Sequence, residues 1–493
     1  MPKNVLWIVS DEFRPDCLAG RFAEYVKTPN LDALAAQGTL FERCYCQASP
    51  CAPSRMSMHT GRYMCSTGAV DNMTPLAEPE DNLAMWLRRH GRTAGIAGYN
   101  DYAMDPALLP GDHPHRSSLC YDYFLPGYEV VLDHEYDSPE WFEYLKRRGY
   151  PEEWCNREGM QATRVPPGGL NGHLPCHFPA RYRAEDSEAA FLTGRAVEYI
   201  EKNAGQGWFL NLNYIKPHPP YISPAPYHAM YPPETVPAPL RDPGEYDDPH
   251  PYFKALRDDF SKRQFAEEAV WREIRACYFG MVAEIDHCVG MLVESLKRTG
   301  QWGDTMVIFG ADHGTCLGDH FLTGKPHFYE QSVRVPLIVR VPDLHDAGAA
   351  PSRVDCIVEN VDLAPTICEH LGLPAMPRAQ GLSLLPVLRG APPAKNRAVF
   401  EFYYHNVLRE TGDAHPAECR LWMLRNEKFK YVQFGQGHLP PMLFDLEDDP
   451  GETRNLAESP QYAGVVAECC QELLRWRIRN EDLRMEEWAR QYR

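Results

Sequence analysis

The 493-residue sequence predicts an α/β fold, with a large, mainly parallel sheet between helices and a smaller C-terminal α+β subdomain. Two observations support this prediction. Short, apolar, β-branched segments recur along the chain and alternate with helical patterns, which is typical of a sheet covered on both faces. From about residue 390 the pattern changes to alternating strands and then an amphipathic helix at about 462–479, which is typical of a separate antiparallel unit.

The strands expected in the large sheet are 4–9, 93–99, 208–214, 305–310 and 335–341. A helix is predicted from Thr28, with Pro29 in its first turn, to a stop at Gly38. A longer helix is predicted over 266–299, because apolar residues recur there at three- and four-residue steps.

Two regions, 105–180 and 216–262, are rich in Pro, Gly, Tyr and His and poor in periodicity. We expect them to be long excursions over the edge of the sheet, where pockets are usually completed. These patterns predict a larger domain at 1–385, which contains both excursions, and a C-terminal subdomain at 386–493 with a small antiparallel sheet and a terminal helix.

Composition narrows the possible functions. The formal charge of −18 argues against non-specific nucleic-acid binding and against docking on an anionic membrane. No run approaches the roughly 18 apolar residues of a membrane span, and the N-terminus lacks the features of a signal peptide. The sixteen cysteines include no CxxC pair, so we interpret them as reduced thiols of a cytoplasmic protein and consider a structural zinc site unsupported.

Polar residues follow two of the predicted strands directly. Asp11 and Glu12 come after the first strand, and Asp312 and His313 follow the strand at 305–310. Each pair alone is typical of a solvated loop end or a helix cap. Because the carboxyl ends of parallel strands meet at one edge of a sheet, the two pairs together predict converging side chains. Crowded carboxylates repel one another unless they are protonated or bridged by a cation, so the pattern predicts a metal site.

The segment "CAPSRMSMHTGR" at 51–62 predicts a short helix, with Pro53 in its first turn and Gly61 as its stop. Cys51 would lie at the helix N-terminus, where free N–H groups and the helix dipole favour an anion. Arg55, four residues on, can share its face. This arrangement suits a tetrahedral oxyanion, although Cys51 alone is more typical of a buried structural thiol, a disulfide partner or a cysteine with no special role.

The same segment resembles the C-x-P-S-R signature of type I sulfatases, in the alkaline phosphatase superfamily. "NVLWIVSDEFRPD", "ADHGTCLGDHFLTGK" and "LFDLEDDPGETRNLA" resemble further blocks of that family. Within the superfamily the sequence is most similar to phosphonate monoester hydrolases and related dimeric arylsulfatases, on "YIKPHPPYISPAPYHAMYPPE" (214–234) and on His313. The resemblance implies the same fold class.

The resemblance also implies a set of site residues. Cys51 would be oxidised to formylglycine by a transiently bound formylglycine-generating enzyme. One divalent cation, Ca, Mn or Zn, would be held by Asp11, Asp312, His313 and the modified Cys51, with Glu12 as a further candidate ligand. The substrate would contact Asn72, Tyr99, His218 and Lys325. The catalytic residues would be Cys51, Arg55 holding the formylglycine diol, and His218 or Lys325 assisting the leaving oxygen.

The expected function is hydrolysis of small-molecule sulfate monoesters, with phosphonate monoesters and phosphodiesters also accepted because these groups are tetrahedral and singly charged. Where sulfatases commonly carry a lysine this chain has Asn100 and Asp101, which favours singly charged groups. The imidazole of His313 favours Mn or Zn. The alternatives are phosphonate monoester or phosphodiester hydrolysis as the main activity, or a non-catalytic binding protein. We also expect no nucleic-acid or membrane partner, and a homodimer or homotetramer.

Overall fold

Two β-sheets organise the part of the chain that the structure describes. The computed structural model describes residues 3–481 except 117–119, 136, 248, 258–264, 266, 326, 405–414 and 416–417. The strands are β1 (Asn4–Ser10), β2 (Thr39–Tyr45), β3 (Ala48–Ser49), β4 (Ala94–Gly98), β5 (Tyr128–Asp133), β6 (Phe209–Tyr214), β7 (Thr305–Gly310), β8 (Arg334–Arg340), β9 (Arg353–Glu359), β10 (Ala398–Tyr403), β11 (Arg420–Arg425), β12 (Phe429–Phe434) and β13 (Met442–Asp445).

The large sheet has eight strands in the order β5-β4-β6-β1-β7-β8-β2-β9. Strand β8 is antiparallel to both of its neighbours, and every other pairing in this sheet is parallel. The predicted α/β fold with a large, mainly parallel sheet is therefore confirmed. Strands β1, β6 and β7 are buried along their whole length, as their continuous apolar sequences predict.

The order of the central strands decides where the polar residues meet. Strands β4, β6, β1 and β7 are consecutive neighbours and parallel, so their carboxyl ends lie at one edge. Ser10 pairs with Tyr214, and Val9 pairs with Gly310. The residues that follow these strands are thereby brought together.

The helices are α1 (Pro29–Ala36), α2 (Cys51–Thr60), α3 (Met64–Thr67), α4 (Leu83–Arg89), α5 (Pro139–Arg147), α6 (Arg157–Met160), α7 (Glu188–Lys202), α8 (Pro243–Asp247), α9 (Pro251–Arg257), α10 (Glu268–Arg298), α11 (Glu330–Val333), α12 (Pro342–His345), α13 (Leu363–His370), α14 (Leu385–Leu388) and α15 (Ala463–Arg479). Helix α10 confirms the long helix predicted over 266–299, and its periodic apolar side chains are buried. Among the described helices it alone is long and apolar enough to cross a membrane, but 78% of its apolar window is buried inside the protein, as in the core helix of a globular domain.

The first predicted excursion, 105–180, is more regular than its sequence suggests. It contains β5 at the edge of the large sheet, together with α5 and α6. As an edge strand β5 buries only some of its positions, so its sequence lacks a continuous apolar run. Strands β2 and β9 were also not predicted. Residues 117–119 and 136 of the first excursion, and 248 and 258–262 of the second, lie outside the described residues.

The small sheet has the order β13-β12-β11-β10-β3 and is antiparallel from β10 to β13, which confirms the predicted C-terminal unit. Helix α15 packs on it through a cluster that includes Leu473, Trp476 and Tyr431. Strand β3 pairs with β10 and so places the chain just before Cys51 against this sheet. The domain boundary between 385 and 386 stays a prediction.

A buried ion network fixes the segment after β1. Asp319 is fully buried, with Oδ2 2.8 Å from Arg14 Nη1 and Oδ1 2.6 Å from Arg275 Nη2. Burial raises the pKa of Asp319, but the charges of Arg275 and Arg14 lower it by more than burial raises it. Its pKa therefore lies well below the usual range. The carboxylate is therefore ionised and joins helix α10 to the chain that leaves the central strand.

Candidate active site

Four neighbouring strands deliver polar side chains to one edge of the large sheet. Asp11 and Glu12 follow β1, and Asp312 and His313 follow β7; all four are buried. Tyr99 follows β4, and His218 lies four residues beyond β6. The convergence predicted from the two polar pairs is observed in the structure.

Four side chains form a cluster that can hold a cation. The donor atoms of Asp11, Cys51, Asp312 and His313 lie within 4.8 Å of one another. His313 Nε2 is 3.3 Å from Cys51 Sγ, 3.7 Å from Asp312 Oδ2 and 3.8 Å from Asp11 Oδ1. Glu12 belongs to an overlapping group with Asp11 and His218. The Sγ atom stands where the oxygen of an oxidised side chain would lie.

The site also contains an orphaned ligand atom. Within the described part of the chain, Glu12 Oε2 is buried and has no hydrogen-bond partner. A buried carboxylate oxygen without a partner is unfavourable, and a cation would relieve the penalty. Carboxylate and imidazole donors in this number suit a divalent metal. The residues present therefore fit the ion that the sequence predicts.

The protonation states of the ligands also favour a cation. Burial raises the pKa of Asp11, but His218, Lys325 and further cationic groups lower it to well below its usual range. Glu12 has a lowered pKa because Lys325 and His218 outweigh its burial. Burial lowers the pKa of His313, so its imidazole is neutral and its nitrogen lone pair is available. Ligands of these types must be deprotonated to bind a metal.

Arg55 connects the ligands to one another. Its Nε lies 3.0 Å from Asp312 Oδ2, and its Nη2 lies 3.2 Å from Asp11 Oδ2. Nη1 donates to Asn213 Oδ1 at 2.9 Å, and Nη2 donates to the Tyr99 hydroxyl at 2.8 Å. Tyr99 in turn donates to Asp11 Oδ2. The guanidinium thus fixes two metal-ligand candidates, while its predicted contact with a formylglycine diol stays a prediction.

Helix α2 places residue 51 at its first position. Gly61 ends the helix in the left-handed region, with φ 66°, as its sequence predicts. Ser54 Oγ donates to the backbone oxygen of Asp312 at 2.6 Å, and Asn72 Oδ1 accepts from Ala52 N–H at 3.0 Å. The first hydrogen bond holds the N-terminal turn of the helix against the loop after β7, and the second ties it to the segment between α3 and α4.

Lys325 lies beside residue 51. Its Nζ is 3.1 Å from Cys51 Sγ and 2.8 Å from Glu12 Oε1. Burial lowers the pKa of Lys325, but Cys51 and Glu12 raise it by more than burial lowers it. The ammonium therefore keeps its charge. His218 Nε2 lies 3.6 Å from Glu12 Oε1, and the side chain is 22% exposed, so His218 lies on the more open side of the cluster.

Asp101 is a further buried carboxyl group in the same site. Its Oδ2 lies 3.3 Å from Arg55 Nε, and the residue is 4% exposed. Burial, and then the charges of Asp11 and Asp312, raise the pKa of Asp101 to about 7 despite Arg55. Asp101 and Glu12 both have positive φ values, 52° and 61°. Such backbone conformations are unfavourable for residues other than glycine and cluster at functional sites.

Sequence reasoning missed two contributors to the site. Asn213 accepts from Arg55, and Ser54 binds the backbone of Asp312. Asn213 could have been found, because two asparagines two residues apart interrupt the apolar strand "WFLNLNY" and point to one face. Three other histidines are structural. His59 bonds the Tyr128 hydroxyl, His320 stacks on Tyr329 and His327 contacts Cys316.

The fold is alkaline-phosphatase-like, with the cluster at the carboxyl edge of its sheet. The sulfatase family model matches residues 3–373, and the model "N-sulphoglucosamine sulphohydrolase, C-terminal" matches residues 318–479. The chain therefore belongs to the sulfatase family, and it is a hydrolase of the alkaline phosphatase superfamily.

Three proteins are similar to the chain over almost its whole length. The chain is 35% identical to the multifunctional alkaline phosphatase superfamily protein PehA of Trinickia caryophylli, over 97% of this chain and 96% of that protein. The phosphonate monoester hydrolase SpPMH from Silicibacter pomeroyi has a TM-score of 0.90 and 35% identity, covering 97% of this chain and 96% of its own. The phosphonate monoester hydrolase of Agrobacterium radiobacter has a TM-score of 0.87 and 31% identity, over 98% and 96%.

Proposed function

We propose that this protein hydrolyses esters of singly charged tetrahedral anions: phosphonate monoesters and phosphodiesters, with sulfate monoesters accepted by the same site. The observation that carries the proposal is the buried carboxylate of Asp101, 3.3 Å from Arg55. In its ionised form this carboxylate offsets part of the charge of Arg55, which reduces the advantage that a doubly charged phosphate monoester would have over a singly charged group. Similarity to two phosphonate monoester hydrolases supports the same substrate class.

Sulfate monoesters as the main substrate remain the second candidate. A sulfate monoester carries the same single charge as a phosphonate monoester, so the argument from Asp101 does not separate the two. The sulfatase family model spans residues 3–373, which favours this candidate. Which of these two esters is hydrolysed faster therefore depends on contacts with the leaving group and with the alkyl group on phosphorus. Turnover measurements on both esters compare these contacts.

In the proposed mechanism Cys51 is oxidised to formylglycine. A bound divalent cation would supply Lewis-acid stabilisation, and the formylglycine hydrate would supply the attacking hydroxyl. Asp11, Glu12, Asp312 and His313 would hold the cation, which we propose is Mn or Zn because an imidazole is among the ligands. Arg55 fixes the carboxylates of Asp11 and Asp312.

Two further side chains act on the substrate. Lys325 Nζ, 3.1 Å from Sγ of residue 51, is placed to donate to an oxygen of the transferring group and so to offset its developing charge. The Nδ1 atom of His218 faces the Pro219 carbonyl at 2.5 Å and so carries a proton there. Nε2, which lies 3.6 Å from Glu12 Oε1, is then the ring nitrogen placed to pass a proton to the leaving oxygen.

Two measurements test the proposal. The first is the ranking of kcat/KM for nitrophenyl esters of a phosphonate, a phosphodiester, a sulfate and a phosphate monoester, with Cys51→Ala as the inactive control. We expect the phosphate monoester to rank last; a phosphate monoester in first place would refute the substrate class. The second is peptide mass mapping of residues 51–62, where an unmodified cysteine in fully active protein would refute the formylglycine mechanism. Anion binding with no turnover of any ester would favour the non-catalytic alternative.

A further inference from the structure

A second cluster of metal-binding side chains shares no residue with the site around Cys51. It lies where the turn Pro175–His177 packs against helix α10. His173 Nδ1 is 2.5 Å from Glu273 Oε1, and His177 Nδ1 is 3.9 Å from the same oxygen. Donor atoms of these three residues lie within 4.8 Å of one another.

Of the two imidazoles, that of His177 makes no hydrogen bond to Glu273. The two histidine rings are stacked, with centroids 3.8 Å apart and planes 11° apart. His173 hydrogen-bonds Glu273, whereas 3.9 Å is too long for a hydrogen bond from His177 to the same oxygen. If both rings were protonated they would repel each other across this short distance. A single cation bound to both neutral rings and to the carboxylate would satisfy all three groups.

The carboxylate is held in place and the histidines are accessible. Glu273 Oε2 accepts from the backbone N–H of Leu174 at 2.6 Å, so the carboxylate keeps its other oxygen toward the imidazoles. The Glu273 side chain is only 10% exposed, while those of His173 and His177 are 43% and 34% exposed. A buried anion beneath two solvent-facing imidazoles is a site that an ion can reach from water.

A candidate fourth donor lies on a neighbouring turn. The turn Tyr227–Ala229 packs against both Pro175–His177 and α10. Its His228 has a buried Nδ1 without a hydrogen-bond partner among the described residues. Burial, and then the charge of His177, lower the pKa of His228, so the two imidazoles lie within electrostatic range of each other.

We propose that His173, His177 and Glu273 form a zinc site that fastens the turn Pro175–His177 to helix α10, with His228 or a water molecule as the fourth ligand. Two imidazoles and one carboxylate are a common zinc ligand set, and they suit zinc better than Ca or Mg, which prefer oxygen donors alone. The sequence reasoning disfavoured structural zinc because it considered cysteine pairs. The ligands proposed here are histidines four residues apart in "HLPCH" and a glutamate on a distant helix.

The test is the zinc content of the full-length protein. Wild type, the double variant His173→Asn/His177→Asn and the control His287→Ala would be loaded with zinc, dialysed and analysed by elemental mass spectrometry. Asparagine keeps a polar amide next to Glu273 but is not a zinc ligand, and His287 is an exposed histidine of the same helix. We expect wild type and control to retain about one zinc more per chain than the double variant.

A second readout separates a metal role from a purely structural one. Zinc should raise the Tm of wild type and of the control by more than that of the double variant, since binding to the folded state alone stabilises it. Equal zinc content in wild type and double variant, or an equal Tm response, would overturn the proposal. Should the double variant fail to fold by circular dichroism, Glu273→Gln replaces it, because its amide oxygen can still accept from Leu174 N–H, and the same outcomes decide.

Discussion

Replacing Arg55 by lysine tests whether the guanidinium fork, rather than positive charge alone, organises the candidate metal site. The fork makes five polar contacts, to Asp11, Asp101, Asp312, Asn213 and Tyr99. A lysine ammonium has its donors on one atom and cannot reach partners on all sides of the fork. We expect at least two charge-assisted hydrogen bonds to be lost, each worth about 1.5–3 kcal/mol, or about 3–6 kcal/mol together.

Part of that loss should appear as weaker metal binding, because Arg55 orients two of the ligand candidates. Removing such a partner typically lowers metal affinity or activity by about 10–100-fold. The assay is activity of metal-depleted protein against added Mn or Zn. We expect the half-saturating concentration to rise by about this factor, and excess metal to restore part of the activity.

The matched control is Arg62→Lys. Arg62 is also buried, lies just beyond the same helix, and pairs with Glu78 at 3.3 Å and Asp81 at 3.2 Å, outside the cluster. Its metal titration should match that of wild type. If Arg55→Lys also titrates like wild type, the assignment of Arg55 as the group that positions the ligands is wrong.

Three further predictions concern nucleophile, selectivity and stability. Cys51→Ser should release about one nitrophenol per site and then stop. A formylglycine hydrate has two hydroxyls, one to attack and one to expel the bound group, whereas serine has a single hydroxyl; sustained turnover in a stopped-flow assay would contradict this. Asp101→Asn, assayed above the pKa of about 7 of Asp101 so that the wild-type carboxyl is ionised, should raise kcat/KM for a phosphate monoester relative to a phosphodiester by roughly tenfold, since one buried charge is removed; an unchanged ratio would count against the charge argument. Asp319→Asn should lower the free energy of unfolding at pH 7, measured in urea, by about 3–5 kcal/mol, against about 1 kcal/mol or less for Asp343→Asn at an exposed ion pair. Because the pKa of Asp319 is lowered by folding, this contribution is complete above the ordinary carboxyl pKa, and the difference should shrink as the pH falls below it.

Much of the fold could be predicted because a strand that is buried on both faces of a sheet has a continuous apolar sequence. Strands β1, β6 and β7 are continuous apolar runs, and the polar residues that end them stand out against that background. Strand β5 is an edge strand with exposed positions, so the same criterion fails there. Strand order, which makes β4, β6, β1 and β7 neighbours, depends on long-range pairing that no local pattern records.

The candidate site likewise contains residues that the sequence predicts and contacts that only the structure reveals. Asp11, Asp312, His313 and Cys51 were predicted and lie together in the structure. The contacts that hold them, from Asn213 and Ser54, depend on side-chain directions across three separate segments. The cluster of His173, His177 and Glu273 joins residues 100 positions apart, so only the folded chain brings them together.

The most direct test of the account is anomalous diffraction, at the absorption edge of the bound metal, from crystals of the protein grown with Mn or Zn. We predict a peak within about 2.0–2.3 Å of carboxylate oxygens of Asp11 and Asp312 and of His313 Nε2, next to residue 51. Metal-replete, active crystals with no peak between those three side chains would contradict it.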